Sequence, residues 1–183
     1  MHFPGDSTWQ VSSRTGDTFA LYVRDALGLS TPTADAVPPL NAPVPRVHDV
    51  YVPETFGPAW DRWWTRAVES GGALTAPSQW PVGPPAQLRA AYDAWHPAPT
   101  SPGETTRRDR SRNDFGLALK EAVGQLTTEL GHEPVFDLNL IEIPVRGQFW
   151  RRTARRTVLV SDELRSSRNV LAPLESVIRD LAQ

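Results

Sequence analysis

The run VFDLNLIEIPVRGQFWRRTARRTVLV, residues 135 to 160, decides the fold class, because no other stretch of the chain is so rich in strand-forming residues. It reads as a strand from Phe136 to Val145, a break at Arg146-Gly147, and a return run ending in Thr157-Val158-Leu159-Val160. Leu138 and Leu140 share one parity whereas Ile141 and Ile143 share the other. A strand apolar on one side alone would hold a strict period of two, so this one is expected to be covered on both sides or to carry a bulge. Behind it, Leu171, Leu174, Val177, Ile178 and Leu181 recur at helical spacing. Pro173 fits that helix only in its first turn, where a missing N–H costs nothing.

Working outward from this unit, helix signals recur along the chain. Trp9 to Ser13 alternates weakly, as a short edge strand does. Asp17 is placed to cap a helix over Thr18 to Leu27, and Gly28 to end it. Pro58 suits the first turn of a second helix, in which Trp60, Trp63, Trp64, Ala67 and Val68 form one stripe. A third is expected after Pro85, with Leu88, Ala91, Tyr92 and Trp95 on one face. A fourth begins at a capping box formed by Ser111 and Asp114 and closes at Gly131. Its Gly116 and Gly124 each cost roughly 1 kcal/mol relative to alanine, which implies close backing or a soft interior.

Between these elements lie connectors. Residues 30–53 carry six prolines and form an irregular wrap, with Val47 to Val52 as its one candidate strand. Residues 97–112 combine Pro97, Pro99, Pro102 and Gly103 with a polar, arginine-rich run, the composition of a flexible linker. The expected architecture is therefore a single α+β domain over 1–183. It has a small, mainly antiparallel sheet built on the C-terminal β-hairpin, about four to five helices, and long Pro-rich connections.

Composition narrows the function. A net charge of −2 attracts neither nucleic acid nor anionic membrane over the whole surface, so either role would need a local patch. The absence of cysteine excludes disulfides, thiolate metal sites and a cysteine nucleophile. No apolar run approaches the length of a membrane span and the first residues lack a signal pattern, so a cytoplasmic protein is expected. There is no phosphate-binding loop, dinucleotide fingerprint or nucleophile elbow. Asp137 and Glu142 lie an odd number of residues apart and Pro144 stands where a nuclease-type lysine would follow, which argues against a metal-dependent nuclease. The histidines are scattered, so no metal site or cofactor is expected. His48 beside Asp49 and His132 beside Glu133 are the two places where an enzyme of unknown class would hold its base.

The most specific feature is basic. Arg146, Arg151, Arg152, Arg155 and Arg156 fall between the two expected strands, with Trp150 among them. Guanidinium groups chelate carboxylate or phosphate through paired N–H donors. The bland reading is a solvated hairpin in an arginine-rich chain, where Lys120 is the only lysine among 19 basic residues. The expectation is a non-enzymatic accessory domain that meets an acidic protein partner through this hairpin edge. The alternative is nucleotide or nucleic-acid phosphate at the same arginines, with Trp150 stacking on a base. Trp80, outside any expected element, and the run Arg107 to Arg112 are secondary candidates.

Overall fold

The computed structural model describes residues 2–4, 8–48, 50–69, 86–95 and 102–182, with the backbone alone at 2–4, 86, 102–110 and 112. The element order is β1 (His2–Pro4), β2 (Trp9–Thr15), α1 (Thr18–Leu27), α2 (Pro32–Asp35), α3 (Phe56–Glu69), α4 (Ala86–Trp95), α5 (Pro102–Leu130), β3 (Phe136–Ile143), β4 (Trp150–Ala154), β5 (Thr157–Ser161), α6 (Asp162–Arg165) and α7 (Leu171–Leu181). The chain is thus α+β. Its contacts group it into two compact units. The first comprises Met1–Arg14, Pro99–Glu142 and Gly147–Gln183, and the second Thr15–Ala98 with Ile143–Arg146.

The first unit holds a five-stranded sheet of order β1-β2-β3-β5-β4. β1 pairs antiparallel with β2, and β4 with β5. β2 and β3 run in the same direction, since the Phe136 N–H bonds the Thr8 carbonyl at one end and the Ser13 hydroxyl reaches the Glu142 carboxylate at the other. The sheet is accordingly mixed, so the expectation of a mainly antiparallel one is met in part: two of its pairs are antiparallel. The hairpin also lies elsewhere than expected. The return run divides at Arg155-Arg156 into β4 and β5, and β5 inserts beside β3, leaving β4 at the edge. The parity change in β3 is real: Leu138 and Leu140 are buried on one phase, Ile141 and Ile143 on the other. Leu138 and Leu140 join Val11, Val158 and Val160 in a core closed by Phe115, Leu119 and Leu126 of α5 and Leu174 and Ile178 of α7. Pro173 is the third residue of α7, within its first turn.

Helix α5 is longer than its apolar stripe implies. Residues 102–112, expected as a linker, are its first turns, so Ser111 lies inside the helix and caps nothing. The physical reason is propensity: arginine and glutamate are good helix formers even where no apolar face marks the turn. Gly124 is exposed, and a methyl group there would meet nothing within 4 Å.

The second unit is built on α1, which is more buried than one stripe requires. Asp17 caps it through the Ala20 N–H at 3.0 Å, and Gly28 ends it in the left-handed conformation at φ 64°. Trp60, Trp63 and Trp64 of α3 are all buried, and the Trp60 indole donates to the Ala20 carbonyl at 2.8 Å. The proline-rich connector has no strand over the described part of 47–52. Several hydrogen bonds tie it down, three of them from one buried side chain. Arg24, 4 % exposed, donates to the carbonyls of Ala34 (3.3 Å), Val37 (2.7 Å) and Pro38 (2.8 Å). Asp25 pairs with Arg24 at 2.7 Å and accepts the Leu40 N–H at 2.8 Å. Leu40 in turn bridges to Val145. A segment poor in N–H donors but rich in carbonyls is in this way supplied with donors by a guanidinium.

Candidate functional site: the arginine hairpin

The sequence-predicted residues are divided between the two units. Arg146 belongs to the second unit, where its Nε donates to the Leu40 carbonyl at 3.1 Å. The other five lie on the β4–β5 hairpin of the first unit. Register pairs Trp150 with Val160, Arg151 with Leu159 and Arg152 with Val158, and a bulge at Thr153 precedes the tight Arg155-Arg156 turn. Alternation puts Trp150 and Arg152 on one face and Arg151 on the other. Trp150 is half-buried against the core of the first unit, which leaves only part of its ring for stacking on a base.

Arg152 and Arg156 of the hairpin pair with carboxylates of the same unit. Arg152 reaches Asp180 of α7 at 2.7 Å and closes its own turn by donating to the Arg155 carbonyl at 2.6 Å and 3.0 Å. Arg156 stands 3.7 Å from Asp137, with both side chains largely in solvent. Such exposed pairs stabilise by at most about 1 kcal/mol, so a competing carboxylate can displace them. Arg151 and Arg155 are exposed. The hairpin itself, Trp150 to Ser161, carries four arginines and no acidic residue. Beside its turn is a cavity of about 220 Å³ lined by Val135, Phe136, Asp137, Arg155, Arg156 and Leu181.

The backbone of β4 is the second feature. The Ser161 N–H bonds the Phe149 carbonyl at 3.0 Å, making that pair a bonded one. In an antiparallel ladder the bonded pairs alternate, so Arg151 faces β5 and the N–H and C=O groups of Trp150 and Arg152 point outward. Among the described residues no strand covers that side.

A buried polar set in the first unit was not legible from sequence. Glu142, Ser13 and Arg165 come from β3, β2 and α6. The Ser13 hydroxyl donates to Glu142, Arg165 pairs with Glu142 at 3.0 Å, and the guanidinium lies 5.5 Å over the Phe115 ring. Arg165 is 5 % exposed. A serine held by a carboxylate with no histidine between them has no base matched to its proton, so the set reads as a buried ion pair that fixes α6 on the sheet. In the second unit, burial pushes the Asp17 carboxyl above the ordinary aspartate range, opposed by the Ala20 and Phe19 N–H groups, Arg89 and Trp63. Its work as the cap of α1 accounts for it.

Asp49, the carboxylate beside His48, lies outside the described residues. His48 is exposed, and the exposed His132 ring lies 3.1 Å from the Glu133 carbonyl, while the Glu133 carboxylate accepts the Trp9 indole N–H at 2.9 Å. Among the described residues no three His, Asp or Glu side chains are grouped as a metal ion needs, and no helix is long and apolar enough to cross a membrane. Trp80 and the side chains of Arg107, Arg108, Arg110 and Arg112 lie outside the described residues. No family model matches the chain, and no curated protein or solved structure matches it either.

Proposed function

We propose that the protein is a non-catalytic binding domain that takes a short, acidic strand of a protein partner onto the outer side of β4. The observation that carries this reading is the terminal position of β4, with the Trp150 and Arg152 backbone groups turned outward between exposed arginines. Strand addition draws its affinity from such unpaired main-chain groups and its specificity from the alternate side chains. The bulge at Thr153 shortens the usable edge, so the added strand is three or four residues long. Charge decides between partners. Pairing of β4 with a second copy would set Arg151 or Arg152 opposite its own equivalent, and like charges directly opposed destabilise a sheet. An acidic strand meets the opposite condition.

The test uses an amidated peptide of alternating valine and glutamate and reads backbone amide exchange. Slowed exchange at Trp150 and Arg152, with Arg151 unchanged, is expected. Arg152→Pro, which removes one outward N–H without touching the bonds to β5, should abolish binding, whereas Arg152→Ala should only weaken it. Binding that leaves both amides exchanging at their free rates refutes strand addition. Tighter binding to a single-stranded oligonucleotide, falling steeply with salt, assigns the arginines to phosphate instead.

A further inference from the structure

The cavity beside the hairpin turn is lined by two chemically different groups of residues. Val135, Phe136 and Leu181 make the apolar one, and Val135 is 65 % exposed there, high for a valine at the start of a core strand. Arg155 and Arg156 make the other. Arg156 is loosely held by Asp137 at 3.7 Å, while the Arg155 guanidinium has no ion-pair partner among the described residues. At about 220 Å³ the space is smaller than the roughly 300–1,000 Å³ of ordinary ligand and cofactor sites, so it suits a single residue.

We infer that this cavity seats the carboxyl-terminal residue of a partner chain, an aliphatic one such as leucine. The inference rests on the protein-binding reading above and gives the partner a second anchor away from β4. The argument is one of chemistry within a small volume. The guanidinium of Arg155 calls for an anion, and the apolar lining residues call for a hydrocarbon side chain. An aspartate or glutamate brings the charge without the hydrocarbon, and an internal leucine the hydrocarbon without the charge. A chain-terminal leucine carries both on one residue. Its carboxylate meets Arg155 in a charge-assisted bond, and its side chain covers Val135, Phe136 and Leu181. Asp137, on the Arg156 side, repels the carboxylate and directs it to Arg155.

The deciding experiment is a methyl-resolved NMR titration of the whole chain with N-acetyl-Ala-Leu as the free acid and as the amide. The ligand is too short to add a strand to β4, and the strand test uses a peptide with no free carboxylate, so either idea fails without the other. The free acid should shift the methyl signals of Val135 and Leu181 and bind at least about tenfold more tightly than the amide. Arg155→Ala, in an exposed turn, should remove that preference, and Arg155→Lys should keep part of it. Equal affinity for acid and amide overturns the proposal without requiring any variant. Isovalerate binding as tightly as the dipeptide acid also overturns it, since the cavity would then serve a small acid rather than a chain end.

Discussion

Replacing Arg24 by methionine tests how the proline-rich connector is held. Methionine retains the helix and most of the apolar stem but removes every donor. The Val37 carbonyl, bonded at 2.7 Å in a buried setting, then has no partner from Arg24, which costs about 1–3 kcal/mol. The Pro38 carbonyl, at 2.8 Å and only part-buried, is rehydrated for roughly 1 kcal/mol. Asp25, 15 % exposed, loses its cation while keeping the Leu40 N–H. Together these place the loss near the 3–5 kcal/mol that breaking a buried pair typically costs. For a chain of this length that is a fall of roughly 6–20 °C in the thermal midpoint. Tryptophan fluorescence reads it directly, because Trp60, Trp63 and Trp64 lie in the same unit. Arg24→Lys should recover little, since one ammonium cannot serve three carbonyls and a carboxylate in a fork geometry. A loss below about 1 kcal/mol in urea titrations would refute the reasoning, for it would mean that water satisfies those carbonyls as well as the guanidinium does.

The remaining predictions concern both units. Burial makes folded Asp17 hold its proton more tightly than the unfolded chain does, so its contribution falls as pH rises from the ordinary aspartate range through the raised value. Asp17→Asn keeps the cap and removes that dependence; the stability of wild type minus variant should therefore decrease with rising pH across this window and level off above it, as followed by denaturation at a series of pH values. Gly124→Ala should stabilise by about 1 kcal/mol, seen as a higher urea midpoint with unchanged slope, because the methyl group meets open space in a helix interior. Trp60→Ala should cost roughly 3–5 kcal/mol by the same measurement, and Trp60→Phe about 1–3 kcal/mol, since phenylalanine leaves the Ala20 carbonyl without its indole donor. Arg165→Met should cost about 3–5 kcal/mol, and adding Glu142→Gln should restore much of that, because the buried carboxylate would no longer lack its cation.

What the chain declared by itself were the elements with local causes. Asp17 and Gly28 bracket α1 because a capping carboxyl and a left-handed glycine act within a few residues of themselves. The tryptophan stripe of α3 and the parity change in β3 follow from periodicity, which needs no knowledge of the neighbour. Pairing was not declared. That β2 runs alongside β3 depends on contacts between residues more than a hundred positions apart, and that β5 rather than β4 lies beside β3 is a choice between two adjacent strands that no local signal makes. The same holds for the candidate site. The hairpin arginines were visible as a cluster, but only the tertiary structure put Asp180 and Asp137 within reach of two of them, gave Arg146 to another unit, and brought Arg155, Val135 and Leu181 to the lining of one cavity. Arg24 and Arg165 make the reason plain. Local sequence places an arginine on a helix, but whether it is solvated or buried depends on which distant carbonyls and carboxylates arrive to meet its charge, and folding alone decides that.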